Sequence, residues 1–321
     1  MERVPGYLCL RIIIVCAMTY AEKEGVCEVA FREYGPYWHL YTDGTKIQDI
    51  FWSEEEFKLG MIALAVCAIL SPDVELVTFE LMSNHIHLIL NGEAEDCMEL
   101  FERLKARLRR VLKRNERVID WSMFQAEILP ITSLDALRNE IIYVNRNAFV
   151  ASPHFTPFSY PWGGGCAYFS PILRQLPAKT LRESGFNKAR ELAHFREIRM
   201  IEDLKFYGDV VYIPSFCRTD IGESMFRDAR SYFNSLTRNA EAFSQIAQRL
   251  KDSVFLTDDE MYAVAVKHAE SSFGSRQLGL LDPEQKIQLC KELHFKYNAS
   301  NQQIRRLLKL EIGILNELFP Q

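Results

Sequence analysis

The 321-residue chain has no CxxC pair, no internal repeat, no low-complexity tract and no overall excess of basic charge. Its eight cysteines (Cys9, Cys16, Cys27, Cys67, Cys97, Cys166, Cys217 and Cys290) lie far apart. That spacing fits neither a zinc site, whose thiolates come in close pairs, nor a dense disulfide framework. A reducing cytoplasm is the simplest setting for such thiols. The formal net charge of −5 argues against a protein that coats nucleic acid through bulk charge, while leaving a local basic face open. Also missing is a long apolar run: the stretch 7–17 is short and carries Arg11 in its middle, so it cannot span a bilayer as one helix. It reads as a strand or an irregular extension. No convincing small-residue cleavage site accompanies it, so neither a signal peptide nor a membrane partner is expected.

What is present is ordinary globular composition, 48% hydrophobic and 25% charged, with length enough for roughly two domains. From 37 to 169, short β-like runs alternate with amphipathic stretches. Residues 38–42 read as a strand, and Ser53 with Glu56 three residues on reads as the cap of a helix reaching Leu70. Residues 74–79 and 85–90 are strand candidates split by Met82-Ser83-Asn84. A second helix is expected over 97–114, with Phe101, Leu104, Leu108 and Val111 on one face. Thr132-Ser133-Leu134-Asp135 resembles a capping box opening a third helix that ends near Ala148. This order predicts an α+β fold, helices packed on an antiparallel sheet.

Beyond a Pro/Gly-rich loop at 155–165 the pattern turns almost wholly helical, with segments at 181–204, 221–236, 240–250 and 258–272. The last forty or so residues form a trio, 282–295, 301–308 and 311–318, whose tight turn at Asn298-Ala299-Ser300 resembles a helix-turn-helix module. The chain therefore divides into an extension (1–36), a mixed domain (37–174), a helical region (175–280) and the terminal module (281–321).

Three features carry chemistry. His85-Ile86-His87 on a strand would point both imidazoles the same way, with Ile86 and Leu88 in the opposite layer. Such a pair can chelate one divalent ion, or can simply be two hydrogen-bonded strand histidines. On the third helix, Leu134, Leu137, Ile141, Val144 and Ala148 form an apolar stripe, and Tyr143 and Asn147 lie together about 90° or more away from it. A metal or a phosphate could meet the phenol and the amide on adjacent turns; a rim tyrosine beside a solvent-facing asparagine is the plainer alternative. Between 101 and 117, eight Lys or Arg stand against two Glu, and Arg103, Arg107, Arg110 and Arg114 share a face. That stripe would neutralise phosphates, or would be a solvated helix face. In the terminal module Arg305, Arg306 and Lys309 are candidate backbone contacts, with packing or dimerisation equally open. His39 could sit near a metal by its place on the first strand, whereas His154, His194, His268 and His294 have no companion spacing and read as structural.

Taken together, these motifs resemble a known family. Phe79 to Leu90, containing Met82-Ser83-Asn84-His85-Ile86-His87-Leu88, is similar to the MxNHxHL signature of the HUH single-tyrosine transposases, in particular the REP-associated tyrosine transposase group. Tyr143-Val144-Asn145-Arg146-Asn147 resembles that group's YIHxNP segment, and Tyr160-Pro161-Trp162 with Ala167-Tyr168 resembles its YPWSSYxxY tail. Trp38-His39-Leu40 and Ile50-Phe51 stand where the family has its first strand and the phenylalanine before its first helix. The resemblance spans about 37–170. Ala148 replaces the proline, Asn145 the histidine, and Gly163 and Gly164 the serines.

The resemblance implies an HUH, ferredoxin-like palm over 37–174 and transesterification of single-stranded DNA. His85, His87 and Asn147 would hold a divalent metal, and Tyr143 would be the nucleophile, leaving a 5′-phosphotyrosine and a free 3′-hydroxyl. Two nitrogens and one oxygen suit Mg2+ or Mn2+. The implied partner is single-stranded or hairpin DNA, with a homodimer as a possible assembly. A non-catalytic DNA-binding regulator on the same scaffold, and a metal hydrolase using water in place of Tyr143, are the competing readings.

Overall fold

The computed structural model describes residues 18–44, 46–113, 119–151, 156, 159–238, 246–247, 249–250, 256 and 258–319. The run 7–17 and most of the expected helix 240–250 lie outside the described residues. The fold is α+β, built on a four-stranded antiparallel sheet of β1 (Tyr37–Thr42), β2 (Glu75–Leu81), β3 (Ile86–Asn91) and β4 (Ala126–Ile131) in the order β2-β3-β1-β4. Before it runs a helix that the sequence reading left as extension, α1 (Tyr20–Tyr34), opened by a Thr19/Glu22 capping box.

Alternation sends the two halves of each strand into different cores. Leu40, Phe79, Leu81, Ile86, Leu88 and Leu90 enter one cluster with α2 (Glu54–Ile69) and α3 (Ala94–Leu112). Ser53 caps α2, accepting from the Glu56 amide at 3.3 Å, and the helix is then buried over Gly60–Ala68. Phe101, Leu104 and Leu108 bring α3 against it, each such burial contributing roughly 1.5–3 kcal/mol. Tyr37, Tyr41, Val77 and Ile89 enter the other cluster with α4 (Leu134–Ala151). Ser133, one residue later than the expected cap, accepts from the Ala136 amide and opens α4.

The region after 175 departs from the wholly helical expectation. It contains a small sheet of β5 (Lys179–Thr180), β6 (Lys205–Tyr207) and β7 (Val210–Val211), and in place of one helix over 181–204 only α5 (Phe186–Ala193) and a short 3-10 turn form. Helices α6 (Thr219–Ser224), α7 (Ala229–Arg238) and α8 (Asp258–Phe273) follow, then the trio α9 (Pro283–Tyr297), α10 (Asn301–Leu308) and α11 (Ile312–Leu318). Asp282 with Gln285 and Ser300 with Gln303 form capping boxes, and Asn298 takes the left-handed conformation that ends α9. These helices join the α4 cluster, so α4 is covered by the sheet on one side and by α7, α8 and their neighbours on the other.

The β2 edge is sealed by the segment 217–222. The Arg218 amide donates to the Leu76 carbonyl at 2.7 Å, and the Tyr168 hydroxyl donates to the Val77 carbonyl at 3.0 Å. A Cβ on Gly222 would lie 1.9 Å from the Tyr168 hydroxyl oxygen and 2.6 Å from its Cζ. Tyr168 is fully buried and cannot swing aside. Gly222→Ala is therefore expected to lose about 1–3 kcal/mol in urea unfolding, partly recovered by adding Tyr168→Phe; an unchanged midpoint would contradict this packing.

Candidate active site

The register of the sheet gathers the polar residues of one face. His87 pairs with Tyr41 across β1/β3 and with Glu80 across β2/β3, and His39 pairs with Ile89, so His39, Tyr41, Glu80 and His87 share the face beneath α4. His85 stands one residue before β3, not within it. Its loop is anchored from two sides: the Ser83 carbonyl accepts from the Ile50 and Phe51 amides at 2.6 and 2.9 Å, and the Ile86 amide donates to Thr42 Oγ1 at 3.0 Å. The His85 and His87 rings lie edge to face with centroids 5.0 Å apart.

Helix α4 supplies the opposite wall. At about 100° per residue, Glu140, Tyr143 and Asn147 (i, i+3, i+7) share a side. The Tyr143 ring lies 5.6 Å from the His87 ring and 6.2 Å from the His39 ring. Sequence spacing placed Tyr143 and Asn147 off the core face; the structure corrects this, since they are only 5% and 8% exposed. They flank the apolar stripe, and because α4 is roofed by later helices the flank is interior too. On the other flank Asn145 accepts from Thr78 Oγ1 at 2.5 Å and donates to the Tyr232 hydroxyl at 3.0 Å.

A hydrogen-bonded chain runs behind the histidines. His39 Nδ1 lies 2.8 Å from Glu140 Oε2, and His39 Nε2 lies 3.0 Å from His87 Nδ1. Arg249 contacts the other oxygen of Glu140. On the second histidine, His85 Nδ1 lies 2.7 Å from Asn84 Oδ1, while Asn84 Nδ2 donates to the Gly44 carbonyl at 2.8 Å. His39 was legible as a neighbour of the site, whereas Glu140 and Asn84 were not singled out; the sequence signal for Glu140 was its place three residues before Tyr143.

Among the described residues no group of three His, Cys, Asp or Glu is disposed to hold a metal. Outside those residue types, Asn147, on the same side of α4 as Tyr143, has a buried Nδ2 with no hydrogen-bond partner among the described residues. Amide nitrogen and oxygen are interchangeable by a flip, so the same side chain can present an oxygen in place of the nitrogen. Two nitrogens and an oxygen fit a hard to borderline divalent cation.

The basic stripe on α3 is broken. Arg107 is buried, donates to the Ala193 and His194 carbonyls at 2.9 and 3.2 Å, and lies over the Phe195 ring, so it caps the end of α5 and does not face solvent. Arg103 donates to the Leu70 carbonyl and pairs with Glu99, Arg110 is exposed, and Arg114 lies outside the described residues. The whole of α3 packs on the sheet face opposite His87 and Tyr143. Arg305 is exposed, but the Arg306 fork is held by both oxygens of Asp258 at 2.7 and 2.8 Å. Trp162 and Tyr168 are core residues, and Tyr160 donates to the Leu81 carbonyl. His268 bonds Tyr297 and His294 bonds the Ala299 carbonyl; His154 lies outside the described residues.

Two cavities lie away from this site. One of about 700 Å3 is lined by Tyr20, Lys23, Arg227 and Arg230, and one of about 520 Å3 by Arg110, Arg190, His194 and Arg196. No helix among the described residues is long and apolar enough to cross a membrane. The six described cysteines are all free thiols. The chain matches no family model, no curated protein and no solved structure.

Proposed function

We propose that this chain is a metal-dependent single-stranded DNA transesterase of the HUH single-tyrosine kind, working as a transposase on DNA flanking a hairpin. The observation that carries the reading is the meeting of His87, whose ring also lies 5.0 Å from that of His85, with Tyr143 from a helix some fifty residues on, at a ring separation of 5.6 Å. In this reading His85, His87 and Asn147 hold Mg2+ or Mn2+, which when bound supplies charge to polarise a scissile phosphate. The Tyr143 oxygen bonds to phosphorus as the bond from phosphorus to the 3′ oxygen breaks, and the proton lost by the phenol is balanced by one gained at the 3′ oxygen. A phenol with a pKa of about 10 is a poor nucleophile in neutral water, which is why it needs a site that orients it and stabilises its anion. The tyrosine ester conserves phosphodiester energy, so rejoining needs no nucleotide. The palm-like sheet belongs to the same reading, as does a helix-turn-helix role for the terminal trio.

The test is direct. Labelled hairpin DNA incubated with the protein and Mn2+ is expected to yield a conjugate that survives denaturant, and Tyr143→Phe to yield none. A conjugate persisting in the variant would refute the assignment.

A second reading, a non-catalytic DNA-binding regulator on the same scaffold, draws on the 5% exposure of Tyr143. For either reading, DNA contact through α3 falls to Arg110 in preference to Arg107. Arg110→Ala is expected to flatten the slope of log affinity against log salt by about 0.7–0.9, one phosphate contact. Arg107→Ala should instead lower the melting temperature and leave that slope alone. The reverse pattern in a salt titration would show that Arg107, not Arg110, meets phosphate.

A further inference from the structure

Two polar side chains behind the histidine pair have no place in the reaction itself, yet each bonds an imidazole: buried Glu140 that of His39, and half-buried Asn84 that of His85. We propose that Glu140, acting through His39, and Asn84 are positioning residues that hold His87 and His85 in the neutral tautomer whose lone pair sits on Nε2. The inference rests on the reading of this pair as metal ligands, and deepens it.

The argument follows donors and acceptors. With the Arg249 guanidinium against it, the Glu140 side chain is a carboxylate, which only accepts. His39 Nδ1, 2.8 Å away, must then carry the hydrogen. In a neutral ring that leaves His39 Nε2 as the acceptor, so across the 3.0 Å contact His87 Nδ1 is the donor. His87 Nε2 is left with the lone pair. Both nitrogens of His39 are engaged in this chain, so it orients His87 and does not take a proton from Tyr143.

The second chain is independent. Asn84 Nδ2 donates to the Gly44 carbonyl at 2.8 Å, which fixes the orientation of the amide and turns Oδ1 toward His85. Across 2.7 Å an amide oxygen can only accept, so His85 Nδ1 carries the hydrogen and Nε2 the lone pair. Gly44 belongs to the device: a Cβ there would lie 2.9 Å from His85 Nδ1 and 3.1 Å from both polar atoms of the Asn84 amide. Metal-bound histidines are characteristically held this way, their second nitrogen donating to a carboxylate or carbonyl. Here the same polarity is set twice, by unrelated segments, on the two rings of one HxH.

The test reads the metal-free protein first. Two-bond proton–nitrogen spectra of histidine-labelled chain are expected to show both His85 and His87 as Nδ1–H tautomers, the two rings being identified from His85→Ala and His87→Ala. Glu140→Leu should mix the tautomers of His87 alone and weaken Mn2+ binding about 10–100-fold, while Glu140→Gln, whose amide oxygen still accepts from His39, should restore both. Asn84→Ala should disturb His85 alone. An Nε2–H tautomer on either ring of the native chain, or a Glu140→Leu chain with an unchanged His87 spectrum and Mn2+ affinity, overturns the proposal. Should Glu140→Leu not fold, the native spectrum and Asn84→Ala decide it. A native chain with the expected tautomers but no Mn2+ binding would instead sink the metal-dependent function and leave the tautomer assignment standing.

Discussion

Glu260→Ala is expected to lose about 3–5 kcal/mol of folding stability, a fall in melting temperature on the order of 10 °C. Glu260 and Arg146 meet at 2.5 Å with side chains only 7% and 3% exposed. Burial works against the guanidinium charge, pushing the Arg146 pKa down despite the opposing pull of Glu260. Removing the carboxylate takes a close counter-charge away from a cation buried inside the protein. The pair itself need not be stabilising. Replacing both partners with apolar residues, Arg146→Met with Glu260→Leu, should bring stability back to the native level or above it. Thermal melts of the two single variants and the double one decide the matter; a Glu260→Ala chain melting within about 2 °C of the native would show that the charge reaches solvent. Arg146 sits on α4 between Asn145 and Asn147, and its pair with Glu260 ties α4 to α8.

Local signals made the sheet core and the helix starts legible in the sequence. Ser53 and Glu56 marked a real cap, and 38–42 and 85–90 read as strands because both faces are apolar enough to be buried. The terminal trio was legible to within a few residues because Asp282 and Ser300 are strong caps at the starts of α9 and α10. What failed needed long-range information. Strand β4 carries Pro130 and is half exposed along one edge of the sheet, so it has neither the composition nor the burial pattern of an interior strand. The strands β5 to β7 are two or three residues long, too short for any period to register. The misreading of Tyr143 and Asn147 as off-core came from assuming one buried stripe per helix, whereas α4 is covered on both sides. Arg107 was read as solvent-facing because nothing near it in sequence shows the two carbonyls at the end of α5 that its guanidinium caps. Glu140 meets His39 across 101 positions of chain, a pairing that only the fold creates.

Tyr143→Phe should abolish the covalent DNA conjugate while leaving the protein folded, and the contrast between those two readouts is what makes the substitution informative. The Tyr143 ring is buried in the cluster that joins α4 to the sheet and lies against the His39 and His87 rings, so phenylalanine keeps the volume and loses one oxygen. Tyr143→Ala would not serve, because emptying a buried aromatic costs about 3–5 kcal/mol and would confuse lost chemistry with lost folding. With the ring retained, no other described hydroxyl on this face can take over: the Tyr41 hydroxyl donates to Glu127 at 2.7 Å, and burial with that bond to Glu127 pushes its pKa far above the ordinary phenol value. Loss of the conjugate to background, with cooperative melting retained, is therefore the expected pair of results. If DNA is still cut by the variant but leaves no adduct, water is the nucleophile and the histidine pair serves a hydrolase. If the native chain binds hairpin DNA and never forms an adduct with Mn2+ present, the buried tyrosine is a packing residue of a DNA-binding regulator.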